Sequence, residues 1–141
     1  MLKKTLFVCL LAVFVFGLAG GVRAESVVRV TSLNTGEQWN KGITKIINWS
    51  YTGAVSNPKF DISIVPSASN VVKFIKKQVS CATLSSCSYT WKVGNIISGS
   101  LAVNADYKIG VCRAGVAFPS DDCDYSDANF TFLPPLLTSQ Q

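Results

Sequence analysis

The chain is predicted to be all-β, an immunoglobulin- or fibronectin-III-like sandwich of about seven strands, on three observations. First, Thr44–Tyr51 alternates, with Lys45, Ile47, Trp49 and Tyr51 on one side and Thr44, Ile46, Asn48 and Ser50 on the other. A period of two in β-branched and aromatic residues marks a half-buried strand, and a second sheet must lie over Trp49. Second, similar short runs recur along the chain with turn residues between them. Third, no convincing helix follows the first 24 residues.

Those first residues, 1–24, read as a secretory signal. Lys3 and Lys4 form the positive start and Leu6 to Leu18 is almost wholly apolar. Gly20 and Gly21 then loosen the helix before Val22-Arg23-Ala24, which places a small residue at the cleavage point. The alternative is an uncleaved anchor, since Thr5 to Val22 is nearly long enough to span a bilayer. The glycine pair and Ala24 favour cleavage, and Cys9 comes too early for a lipoprotein anchor. The expected location is therefore secreted, extracellular or periplasmic, in association with the cell envelope. No membrane span is expected after cleavage.

Loss of the signal removes Lys3, Lys4 and Arg23, so the formal charge falls from +5 to +2. That is too weak to imply nucleic acid. Lys73, Lys76 and Lys77 form the only dense basic run, and a solvated edge strand accounts for them. Residues 25–133 are long enough for one domain with a modest core, and residues 134–141 form a flexible tail.

Within the domain, Ser26–Thr31 makes a first strand and Asn34-Thr35-Gly36 a turn. Trp39 is expected to fold back as a plug over the end of the core. After the Trp49 strand, Phe60, Ile62 and Ile64 point inward between Asp61 and Ser63, and Pro66 ends the run. Val71–Val79 is a strand of ambiguous facing. Ser88–Val93 sets Tyr89, Trp91 and Val93 together, and a long connection from Gly94 to Asn104 leads to Tyr107, Ile109 and Val111. Asn129–Phe132 sends Phe130 and Phe132 inward before Pro134-Pro135 stops pairing.

Four cysteines lie outside the signal: Cys81, Cys87, Cys112 and Cys123. An even number in an exported chain points to two disulfides, with three possible connectivities. Pairing of sequence neighbours, Cys81 with Cys87 and Cys112 with Cys123, is favoured because each pair brackets a turn between strands. Neither pair has CxxC spacing and the chain has no histidine, so zinc is not expected. No metal and no cofactor is expected.

The lack of histidine also removes the usual general base, and paired cysteines leave no thiol nucleophile. Asp61, Asp106 and the run Asp121-Asp122-Cys123-Asp124 are the remaining carboxylates for catalysis. Outward, solvated positions explain Asp61 and Asp106. Asp121, Asp122, Asp124 and Asp127 lack the glycine and terminal glutamate of a calcium loop, and a solvated hairpin tip is the ordinary reading. Catalysis is not expected. For binding, Trp39, Tyr51 and Tyr125 lie near strand ends and are the candidate ligand-facing aromatics, since sugar rings stack on exposed aromatic faces. The competing reading is that they cap the sandwich. Asn48-Trp49-Ser50 and Asn129-Phe130-Thr131 are sequons that matter only in a eukaryotic host.

The order Gly36-x-x-Trp39, Ile47-x-Trp49-Ser50, Ile62-x-Ile64, Tyr89-x-Trp91-x-Val93, Asp106-Tyr107-x-Ile109-x-Val111, Ser126 and Phe130-x-Phe132 resembles the Kre/Knh-like yeast cell-wall-synthesis N-terminal domain family. That Ig-like module heads many Ser/Thr-rich GPI-anchored proteins and also occurs in bacterial exported proteins. The resemblance covers about residues 28–132 and brings no catalytic residues. The chain has no Ser/Thr-rich stalk, and its tail lacks the apolar run of a GPI signal. The family implies a surface module associated with cell-wall or envelope polysaccharide. The alternative is a structural or adhesive subunit that binds another surface protein through a sheet edge.

Overall fold

The computed structural model describes residues 27–33, 35–117 and 120–137, so the signal expected at 1–24 lies outside the described residues. Nine strands follow in order: β1 (Val27–Val30), β2 (Glu37–Asn40), β3 (Thr44–Thr52), β4 (Lys59–Pro66), β5 (Lys73–Ser80), β6 (Cys87–Lys92), β7 (Ala105–Arg113), β8 (Cys123–Tyr125) and β9 (Phe130–Leu133). One sheet has the order β1-β3-β6; the other runs β2-β9-β7-β4-β5, with β8 also paired to β7. Apart from β2, which lies parallel along β9, all pairs are antiparallel.

This strand order is that of an immunoglobulin sandwich. β1, β3 and β6 stand where strands A, B and E stand. β9, β7, β4 and β5 take the places of G, F, C and C′, and β2 is the part of the first strand that crosses to the second sheet. Among the described residues no strand D lies beside β6, because residues 81–86 connect β5 to β6 directly.

The alternation seen in the sequence places the core. Ile47, Trp49 and Tyr51 of β3, Phe60, Ile62 and Ile64 of β4, and Tyr107, Ile109 and Val111 of β7 are all buried, with Trp91, Val93, Phe130 and Phe132. Val28, Val30, Leu33 and Ile75 join them, although the sequence offered less reason to expect it. Tyr89, expected in the core, is only half-buried.

Two strands go beyond the expected seven, and both depend on a longer neighbour. β2 carries one apolar side chain, Trp39, among Glu37, Gln38 and Asn40, and is held by pairing Trp39 with Phe132 across β9. β8 reads as an acidic tip but pairs Gly110 with Tyr125 and Cys112 with Cys123 along β7.

Short-range polar contacts fix the ends. Tyr107 Oη accepts from Ala102 N at 2.8 Å and donates to Ala102 O at 3.1 Å. This is the tyrosine corner of immunoglobulin domains, placed at the start of β7 as in that fold. Ser126, fully buried, bridges β7 and the approach to β9: its Oγ accepts from Ile109 N and donates to Ala128 O. Gln78 has a positive φ of 60° in the bulged part of β5, which turns its N–H to Asp61 Oδ1 at 2.9 Å. Both disulfides follow the sequence-near pairing. Cys81–Cys87 ties the end of β5 to the start of β6 across the two sheets, and Cys112–Cys123 joins β7 to β8, with Cα atoms 4.0 Å apart.

Two substitutions test this packing in denaturant melts. Trp91→Ala is expected to cost about 3–5 kcal/mol, since the ring is central to the layer. Tyr107→Phe is expected to cost about 1–3 kcal/mol by leaving Ala102 without its partner.

Candidate functional site

The three aromatics proposed as ligand-facing separate at once. Trp39 is only 2% exposed and so is Tyr51, so neither ring face is available to a ligand. The ligand-facing reading is corrected for both in favour of the competing one, that they cap the sandwich, and the cause is the second sheet. Trp39 stacks on Phe130 with centroids 4.5 Å apart and tilts against Trp91 at 6.1 Å, while Tyr51 packs edge-on against Phe60 at 5.5 Å. Trp39 is therefore part of the core itself, carried there by β2.

The polar end of Trp39 is satisfied locally. Its Nε1 donates to Glu37 Oε2 at 2.8 Å, and Lys45 Nζ reaches the same oxygen at 3.2 Å while lying over the indole ring. The indole hydrogen bond, followed by Lys45, holds the Glu37 carboxyl below the usual carboxylate value.

Tyr125 differs. Its partner in the ladder is Gly110, and directly paired residues share a face, so the ring stands on the outer face of the larger sheet beside a residue with no side chain to shield it. It is partly exposed, and burial of the rest raises its hydroxyl above the ordinary tyrosine value. Tyr125 lines an open recess with Lys108, Asn129, Asn70, Ser67 and Pro66. Asn129 Oδ1 is enclosed there and has no hydrogen-bond partner among the described residues. Asparagine and lysine beside an aromatic ring make a polar rim around one apolar surface.

Four of the carboxylates considered for catalysis or calcium, Asp61, Asp106, Asp122 and Asp124, have structural work. Asp61 accepts from the bulged Gln78, and Asp106 Oδ1 accepts from Thr131 Oγ1 at 2.6 Å across the β7–β9 pair. The acidic run is only in part a solvated hairpin tip, since Asp121 and Asp127 are exposed and the other two are not. Asp122 is buried and takes Arg113 Nε at 2.9 Å along with its NH2 group. Asp124 Oδ2 accepts from Val30 N at 2.7 Å, and Asp121 O accepts from Val28 N. The run thus closes the outer edge of β1, whose even-numbered N–H groups point away from β3. Among the described residues no three potential metal ligands come together. Of the two sequons, Asn48 lies on the exposed outer face of β3, whereas Asn129 is half-buried.

One feature had no sequence signal. β5 and β6 border an open groove lined by Lys76, Tyr89, Thr90, Lys92, Ile96 and Ile97, on the side where strand D would lie. The brevity of the 81–86 connection was visible, but only the strand order shows what it leaves uncovered.

Strand order, tyrosine corner and disulfides define an immunoglobulin-like domain stabilised by two disulfides, which fits an oxidising compartment. Among the described residues no helix is long and apolar enough to cross a membrane. No family model matches the sequence, and no curated protein does. Among solved structures the chain is similar to the crystal structure of the human B7-H4 IgV-like domain, at 10% identity and a TM-score of 0.35, covering 79% of this chain and 99% of that one. The fold assignment rests on the strand order itself.

Acid melts check the Trp39 anchor. Because the folded value of Glu37 is depressed, the stability it lends is complete above the ordinary carboxylate value and is lost as pH falls through the folded one. The wild-type advantage over Glu37→Gln is expected near neutral pH and to shrink below about pH 4. A pH-independent difference between the two proteins would contradict the linkage.

Proposed function

We propose that this chain is a non-enzymatic, exported immunoglobulin-like module that associates with cell-wall or envelope polysaccharide. The observation that carries this reading is the Tyr125 recess. Of the three aromatics near strand ends, Tyr125 alone is partly exposed, and Asn129, Lys108, Asn70 and Ser67 line the same recess. A pyranose ring has apolar C–H faces and an equatorial belt of hydroxyls. An aromatic platform with amide and ammonium groups at its rim meets both needs. The two disulfides and the resemblance to the Kre/Knh-like family support a place at the cell surface.

A second reading, binding of another surface protein through a sheet edge, is favoured by a separate observation: β6 has no strand neighbour on one side among the described residues.

Retention on insoluble wall polysaccharide tests the first reading. Tyr125→Ala is expected to lower retention about tenfold, as loss of one stacked ring should. Its melting temperature should stay close to wild type, because the ring lies outside the core. Equal retention of the variant, or of an unrelated sandwich domain, would refute it.

A further inference from the structure

The open side between β5 and β6 differs from the rest of the sandwich. The opposite edge, β1, is closed by Asp121 and Asp124, which accept from Val28 and Val30. Part of β5 is covered as well: Ile97 N donates to Phe74 O at 2.8 Å, and Lys73 Nζ donates to Ser100 O. β6 has no such cover along its middle.

The ladder shows which groups face outward there. Val93 N donates to Ile43 O, and Val93 O accepts from Gly42 N, so Val93 bonds toward β3. Tyr51 N donates to Leu84 O, which puts the odd-numbered groups of β3 on the β6 side as well. Alternation then commits Trp91, Tyr89 and Cys87 to β3 and turns the N–H and C=O groups of Ser88 and Thr90 to the open side. The burial pattern agrees. Tyr89 is inward-facing in register with the fully buried Ile47, yet it stays half-buried, and Ile97 beside it is 57% exposed. An added strand would cover both.

Charge selects the strand. Lys76 and Lys92 line the groove, and no carboxylate lines it; among the described residues the ion pairs are Lys45–Glu37 and Arg113–Asp122, both elsewhere. A second copy joined β6 to β6 would bring two lysine-bearing β5 edges side by side. A glycan's hydroxyls donate and accept but do not repeat at the strand spacing with which Ser88 and Thr90 present their N–H and C=O groups. We infer that the β6 edge adds a strand from a partner protein, an extended segment alternating apolar and acidic residues. Its apolar side chains lie over Tyr89 and Ile97, and its carboxylates stand beside Lys92 on the outer face, with Lys76 of β5 adding positive charge at the groove. This rests on the sheet-edge reading and names the partner's chemistry.

The test uses synthetic extended peptides that alternate valine with glutamate or valine with lysine, read by fluorescence anisotropy and by amide hydrogen exchange. The glutamate peptide is expected to bind and to slow exchange at Ser88 and Thr90, with the lysine peptide weaker by about tenfold or more. Thr90→Pro removes one outward donor and leaves the β3 ladder intact, so it should abolish the gain while the far-ultraviolet spectrum persists. Should that variant unfold, Lys76→Glu with Lys92→Glu decides the matter, since it must reverse the peptide preference. Equal binding of both peptides, with protection at Ser88 and Thr90, would keep the edge reading and overturn the acidic partner. Binding of neither peptide, or concentration-dependent self-association that protects the same amides without peptide, would overturn the edge reading too.

Discussion

The stack of Trp39 on Phe130 is the contact on which the architecture turns. Phe130 also meets Trp91 edge-on at 6.2 Å and Tyr107 at 5.9 Å, so one ring joins β2, β6, β7 and β9. β6 belongs to the smaller sheet and the other three to the larger, which makes this cluster the pin between layers. A four-residue strand with one apolar side chain would not hold its place alone. Burying an indole is worth several kcal/mol, enough to draw β2 across to the larger sheet and seat it parallel to β9. At the other end Phe60 does the same for Trp49 and Tyr51, whose rings meet it at 5.6 and 5.5 Å.

With the layers pinned, the polar groups fall into place. Val28 and Val30 need acceptors because β1 is the last strand of its sheet, and the acidic run after β7 supplies them. Cys112–Cys123 holds that run against β7, and Arg113 neutralises Asp122 where it is buried. Acidic residues that look like a metal loop are thereby used to finish a sheet edge. The same economy is absent from the other side, where the short 81–86 connection leaves β6 without a neighbour.

Much of this was legible in the sequence because a period of two survives wherever a strand has one buried face. Ile47-x-Trp49, Phe60-x-Ile62-x-Ile64 and Tyr107-x-Ile109-x-Val111 all declare their inward sides. β2 and β8 did not, because each is short and takes its shape from pairing with a distant strand. The depth of Trp39 and Tyr51 was hidden for a related reason: nearness to a strand end says nothing about what the opposite sheet places over it. Tyr125 was readable as a candidate, but its place on the outer face opposite Gly110 comes from the β7–β8 ladder. The roles of Asp122 and Asp124 depended on contacts with Arg113 and Val30, and no local pattern carries the second of these.

The central claim is that all the indoles of this chain are sealed between two facing sheets, with Trp39, Trp49 and Trp91 at 2%, 1% and 1% exposure. Iodide quenching of tryptophan fluorescence in the folded, disulfide-bonded protein tests it most directly. The account predicts blue-shifted emission that iodide barely reduces until denaturant is added. Emission centred where free indole emits, with one or more tryptophans quenched as readily in the native protein as in the unfolded chain, would contradict it.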